Sequence, residues 1–230
     1  MLDNKIALIT GAKGGLGTSV TQAFLDAGAT VIGVSRSIEA SDFPHQRFVA
    51  MPAELSSAEA ARILSDAVVS RYRRIDVLVH LVGGFAGGKT VAETDDAMLD
   101  RMFDVNVRSA FHIARAVLPH MRKQKSGRIL AIGSRAAQEP GPQIGAYSAS
   151  KAALVSLIRT IAIENKDLSI MANVILPGTM DTPASRTADP QADFSKWVQP
   201  SQVAALLLHL ASDAASQING AVIPVYGQDV

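Results

Sequence analysis

The sequence predicts an α/β fold, a doubly wound parallel sheet of about seven strands with helices on both faces. Three observations carry this. Short apolar, β-branched runs alternate with stretches of helical spacing along the 230 residues. The first run leads straight through a glycine-rich turn into a helix. The glycine turn, Ser35-Arg36, Gly83-Gly84, Ser134 and Pro177-Gly178 all follow strands, so they converge on one sheet edge.

Residues 5–10, KIALIT, read as a strand buried on both faces. TGAKGGLG follows, and residues 16–27 carry Leu16, Val20 and Phe24 at helical spacing before Gly28. Gly11 permits a tight turn. Gly15 and Gly17 let the backbone approach a pyrophosphate at the positive end of the helix. The competing reading is a tight turn with no ligand. Gly11, Lys13, Gly15, Leu16 and Gly17 are therefore candidate cofactor contacts.

Residues 29–35, ATVIGVS, form the second strand. An acidic group at its end would meet the free ribose 2′-hydroxyl of NAD, and a basic one the 2′-phosphate of NADP. Ser35 and Arg36 stand there, and Lys13 adds a second positive charge. NADP(H) is the expected cofactor, with NAD(H) possible. Arg36 also reads as a solvated loop residue.

Residues 46–51 are a third strand, and Glu54-Leu55 an adenine-side corner. Residues 56–71 are helical, with Ser56 or Ser57 as N-cap. Residues 75–81, IDVLVHL, are a fourth strand. GGFAGG then packs four glycines into six residues, a loop for close approach to a ligand, with Gly83 and Gly84 on the cofactor side. His80 invites a catalytic role, but a lone histidine at a strand end is more often structural. No partner at metal-ligand spacing stands beside it, and no metal is expected.

Residues 95–124 read as one long, bent helix with an apolar stripe of Phe103, Val107, Phe111, Ala114 and Leu118. Asn106 has poor helical propensity. Facing the core it would bend the helix or bind water; facing out it would simply be solvated. Residues 128–133 are a fifth strand, ending at Ser134. Residues 145–166 are helical and apolar nearly all round, so they pack on the sheet, on another subunit, or on both. Residues 170–176 are the sixth strand, stopped by Pro177-Gly178. Residues 178–199 show little periodicity and form a candidate substrate lid. A helix at 201–212 and a last strand at 220–226 complete the chain.

Composition narrows the function. The chain is 48% hydrophobic with net charge +1, which argues for neither nucleic acid nor a charged membrane surface. It has no cysteine, so disulfides, thiolate zinc sites and thiol catalysis are excluded. No apolar run approaches the roughly 20 residues needed to span a bilayer. The N-terminus lacks a signal-peptide pattern, and a cytoplasmic protein is expected.

Tyr147 and Lys151 stand four apart, on one face of a helix. A free phenol has a pKa of about 10. A nearby ammonium favours the phenolate, and a phenol so tuned can exchange a proton with a carbonyl or alcohol oxygen. Ser134 can hydrogen-bond the same oxygen.

Taken together, these segments resemble the short-chain dehydrogenase/reductase family over essentially the whole chain. TGAKGGLG is similar to its TGxxxGxG and YSASK to its YxxxK. Ser134 stands thirteen residues before Tyr147, as the family's serine does. Asn106 in FDVNVRSAF, and LPG followed by Thr179 and Thr182, are similar to its helix asparagine and nicotinamide-side loop. The resemblance implies a single Rossmann domain over 1–230 with strand order 3-2-1-4-5-6-7. It implies Tyr147 as proton donor and acceptor, and Lys151 lowering its pKa and holding the nicotinamide ribose. It further implies Ser134 positioning the substrate, Asn106 holding a relay water, and Pro177, Gly178, Thr179 and Thr182 beside the nicotinamide. Homodimers or homotetramers built on helices 95–124 and 145–166 are expected.

The family's NNAG segment is replaced by His80-Leu81-Val82-Gly83, so its sheet-bracing asparagine is missing. GGFAGG, LPGTMDTP and PQADFSKW also resemble the dihydropteridine reductase branch. That likeness implies pterin reduction with NADH, through an acidic second-strand residue and without the serine; Arg36 and Ser134 depart from it. The reading favoured is therefore NADP(H)-dependent hydride transfer to a small carbonyl or alcohol substrate. Phe85, Arg135, Gln143, Met180 and Trp197 are the pocket candidates. A nicotinamide-binding sensor without turnover is the alternative of another class.

Overall fold

A computed structural model describes residues 2–228. The strands are β1 (Ile6–Thr10), β2 (Thr30–Val34), β3 (Phe48–Ala50), β4 (Val77–His80), β5 (Gly127–Ile132), β6 (Ile170–Pro177) and β7 (Val222–Val225). They form one seven-stranded sheet in the order β3-β2-β1-β4-β5-β6-β7, with every pairing parallel. The main helices are α1 (Gly15–Asp26), α2 (Ala58–Tyr72), α3 (Asp96–Phe103), α4 (Ser109–Gln124), α5 (Gly145–Glu164), α6 (Pro183–Ala188) and α7 (Pro200–Ala211). β1 and β5 are buried along their whole length, as both-face burial of apolar runs requires.

Two cores flank the sheet. On one face Leu16, Val20 and Phe24 of α1 pack with Val203, Leu207 and Leu210 of α7. On the other, Leu64 and Val68 of α2, Ile113 and Val117 of α4, and Leu154 and Ile158 of α5 cover the strands. The order reverses between β1 and β4, which opens a crevice at the strands' C-terminal ends.

The predicted helix over 95–124 is continuous but interrupted by a π-helical turn at Asp104–Arg108. Asn106 sits in that turn and is fully buried, which settles the choice left open by propensity. A π turn widens the helix by one residue and turns a side chain inward, here a polar one towards polar partners.

His80 ends β4 beside Thr10, its register partner on β1. Its Nδ1 shares a hydrogen bond of 2.9 Å with the Thr10 hydroxyl and its Nε2 one of 3.3 Å with the Ser109 hydroxyl. The imidazole thus ties β1 and β4 to α4, the bracing expected of the missing asparagine. Burial, then the charge of Lys151, pushes its pKa down to about 3. In the unfolded chain it titrates near 6.5, so between these values the unfolded state binds a proton that the folded state refuses. Stability should therefore be insensitive to this group above pH 6.5 and fall as pH drops, by about 1.4 kcal/mol per unit. His80→Asn, which keeps a bridging side chain, should flatten the urea midpoint between about pH 6.5 and 5.

Candidate active site

The glycine turn after β1 is built by close approach. Gly11 adopts φ +74°, and its N–H donates to the Val34 carbonyl at 2.7 Å. A Cβ on Gly17 would stand 2.0 Å from the Gly11 oxygen, and one on Gly15 would stand 2.9 Å from the Cβ of Thr182. Gly14 caps α1 with no side chain, so no side chain takes the helix's first N–H groups. That end of α1 lines a cavity of about 530 Å³ with Gly11, Lys13, Leu16, Gly83 and Thr182. An uncapped, positive helix end over glycines fits the pyrophosphate of a dinucleotide.

Ser35, Arg36, Glu54 and Leu55 line the adjoining cavity with Lys13, as their positions after strands predict. The Ser35 hydroxyl accepts from the Lys13 backbone N–H at 3.2 Å, tying the glycine turn to the end of β2. Arg36 is largely exposed and its Nε lies 3.9 Å from the Glu54 carboxylate. The ammonium of Lys13 instead pairs with Asp42 at 2.8 Å. Asp42 carries no motif, and sequence reasoning missed it.

Across the crevice, α5 presents Tyr147 and Lys151. The Tyr147 ring meets Phe85 edge-on, with centroids 5.0 Å apart, and the Lys151 ammonium lies 6.0 Å from the ring centroid. Lys151 is buried, and its ammonium donates to the Ile132 carbonyl at 2.9 Å. Burial pushes its pKa down to about 8. The expectation that Lys151 acidifies the phenol needs correction. Burial holds the Tyr147 phenol above its usual range, and the opposing pull comes from a hydrogen bond with the Ser134 hydroxyl.

Asn106 serves this centre through the backbone. Its carboxamide oxygen accepts from Gly84 N–H at 2.9 Å, and its amide donates to the Gly84 carbonyl and the Ser150 hydroxyl, each at 3.0 Å. Its side chain is therefore committed to these partners. A Cβ on Gly83 would stand 3.0 Å from the Asn106 oxygen and 3.2 Å from the Lys151 nitrogen. Glycine at 83 thus admits both side chains.

The segment 178–199, expected to form a lid, is more ordered than its weak periodicity suggests. It contains α6, with Pro183 in its first turn and the Thr182 hydroxyl accepting from Ser185 N–H at 3.2 Å. Six residues are too few for periodicity to register. Thr179, Met180 and Asp181 pair with Val198 to make a neck, where Val198 N–H donates to the Thr179 carbonyl at 2.8 Å. Gly178, following Pro177, lies against the Tyr226 backbone. Trp197 stacks on Phe194 within the same segment, with centroids 4.8 Å apart. Met180 lines the cavity at the glycine turn. Arg135 lies over the Tyr226 ring and pairs with Glu139 at 2.6 Å, so it is not a spare cation. Gln143 adopts φ +62°, and its carbonyl accepts from Gly88 N–H at 2.9 Å, joining the two loops that flank Tyr147.

The sequence profile described as short chain dehydrogenase matches residues 5–193. The chain is 31% identical over 249 residues to the 3-oxoacyl-[acyl-carrier-protein] reductase of Thermotoga maritima, covering 98% of each. It is 31% identical to the 7alpha-hydroxysteroid dehydrogenase of Escherichia coli, covering 100% of this chain and 95% of that one. Among solved structures, gox2181 superposes with a TM-score of 0.91 at 28% identity, over 98% of this chain and 95% of that one. ElxO, solved with NADP bound, matches with the same TM-score at 24% identity over 97% of each chain, a likeness of fold. The chain belongs to the short chain dehydrogenase family of oxidoreductases.

Proposed function

We propose that this protein transfers hydride between NADP(H) and the carbonyl or alcohol carbon of a small molecule, with Tyr147 as general acid and base. One observation carries the reading: Tyr147 packs edge-on against Phe85 with the Lys151 ammonium 6.0 Å from its ring, and that ammonium reaches Gly83, which lines the cavity at the glycine turn. A nicotinamide bound there supplies the hydride. Ser134 orients the substrate oxygen, and Tyr147 gives that oxygen its proton or removes it. Lys151 and the Asn106-held loop at Gly83-Gly84 keep the phenol and cofactor in one geometry. Arg36 and Lys13 favour the phosphorylated cofactor. The two relatives named above are, by their names, a keto reductase and a hydroxyl dehydrogenase, which is the same chemistry.

Phe85 and Val91 are strongly exposed apolar side chains on the loop beside Tyr147. Val91 sits against Gly145 at the start of the same helix. An apolar body on the substrate would cover them. Residues 178–199 act as its lid. Phe111 and Ile163 are exposed apolar residues on α4 and α5, where a second copy would pack to form the homo-oligomer. A panel of apolar ketones and alcohols, followed by NADPH and NADH absorbance, tests the reading. Turnover of ketones with NADPH is expected; turnover of quinonoid dihydropterin alone would favour pterin reduction, and no turnover would favour a sensor.

A further inference from the structure

The ribose corner holds an ion pair that the cofactor reading leaves unexplained. Asp42 belongs to a short helical turn, Ala40–Asp42, that closes on itself. One of its carboxylate oxygens accepts from Glu39 N–H at 2.8 Å, which fixes the group. The other faces the Lys13 ammonium at 2.8 Å. Lys13 also donates to the Ser37 carbonyl at 3.3 Å. Two of the ammonium's three donors are thus taken by the protein itself.

The positions matter as much as the distances. Lys13 lines the cavity beside Ser35 and Arg36, and the carboxylate that holds its ammonium comes from outside that lining. Lys13 and Glu39 N–H hold the Asp42 carboxyl below the usual carboxylate range, so it is charged at neutral pH. Arg36, the other cation, is 83% exposed and held only at 3.9 Å by Glu54. The better-placed cation of this corner is neutralised, and the less neutralised one is loose.

We propose that Asp42 is a specificity-determining residue for the cofactor. By holding the Lys13 ammonium it limits what that cation gives a 2′-phosphate, and the chain accepts both nicotinamide dinucleotides with a muted preference for the phosphorylated one. A phosphate sharing Lys13 with Asp42 meets a second anion across one ammonium, and that repulsion offsets part of the attraction. The free 2′-hydroxyl of NADH carries no charge, so Asp42 changes its affinity far less. This inference rests on the reading that the corner admits a 2′-phosphate.

The test is fluorescence titration of NADPH and NADH into wild type, Asp42→Asn, Lys13→Met, Arg36→Met and the Lys13→Met/Asp42→Asn double variant. All are measured at one low ionic strength, because salt screens exposed charges. Asparagine keeps an acceptor for Glu39 N–H, and melting curves establish that each variant is folded. Asp42→Asn should tighten NADPH about three- to tenfold and leave NADH within about twofold. The double variant should lose the whole gain. An unchanged NADPH-to-NADH ratio in Asp42→Asn, a weakened NADPH, or a gain that survives removal of Lys13 would each overturn the proposal. If NADPH binds no tighter than NADH in wild type, and neither Lys13→Met nor Arg36→Met weakens it, the 2′-phosphate reading itself has failed.

Discussion

Replacing Tyr147 by phenylalanine should lower kcat about a thousandfold while NADPH affinity stays within about twofold of wild type. The substitution removes one hydroxyl and little else. The ring keeps its edge contact with Phe85 and its place near the Lys151 ammonium. Ser134 keeps the N–H it accepts from Ala136 at 3.2 Å. The glycine turn and the ribose corner lie on other elements and are untouched. What disappears is the proton that the substrate oxygen needs as hydride arrives. Steady-state absorbance with the best ketone of the panel measures the first quantity, and cofactor fluorescence titration the second. Turnover near the wild-type rate would remove Tyr147 from its role.

The pH profile of the wild type follows from the same environment. Burial holds the phenol above its ordinary range, against the pull of Ser134, so it stays protonated through neutrality. Ketone reduction uses the protonated form, so it should be flat through neutral pH and decline only in alkali as the phenol ionises. Alcohol oxidation uses the phenolate and should rise with pH over the same interval. The two directions should thus separate on a pH axis, with reduction favoured at neutral pH.

Much of this architecture was legible because it is written in local patterns. A strand, a glycine turn and a helix within the first 26 residues locate the turn at the sheet edge, and the four-residue step from Tyr147 to Lys151 places both on one helical face. What escaped was decided by contacts between distant segments. Nothing near Lys13 announces that residue 42 will neutralise it. His80 looks like a stray titratable group until the sheet sets it against Thr10 and Ser109. Asn106 was visible as an anomaly in a helix. Only the π turn, and the Gly84 backbone it meets, explain why a carboxamide is needed there. The segment 178–199 hid its helix because six residues do not make a period. The pKa of Tyr147 was misjudged for a related reason: sequence shows the neighbouring lysine but not the depth of burial, and burial dominates.

Gly17→Ala should lower the melting temperature by about 10 °C and abolish the further rise that NADPH or NADH produces in wild type. The added methyl carbon would stand 2.0 Å from the Gly11 oxygen and 2.8 Å from the carbonyl carbon and oxygen of Ala12. Neither wall can retreat cheaply. Gly11 and Ala12 both donate to the Val34 carbonyl, at 2.7 and 3.2 Å, which pins the turn to β2. On the other side Leu16, Val20 and Phe24 of α1 are buried in the core shared with α7. Overpacking against mobile side chains costs about 1–3 kcal/mol, and backbone walls place this site at the upper end or beyond. Each kcal/mol is worth about 2–4 °C in a chain of this size. Any relief must come from moving α1 off the turn, and that displaces the helix N-terminus on which the pyrophosphate reading depends. Gly141→Ala is the control: its nearest neighbour would be Ile144 at 3.6 Å, an ordinary contact, and its melting temperature should move by less than about 2 °C. A Gly17→Ala protein that melts with wild type and still gains stability from cofactor would mean that the helix end and the turn do not meet as closely as described, and the cradle would have to be sought elsewhere along the crevice.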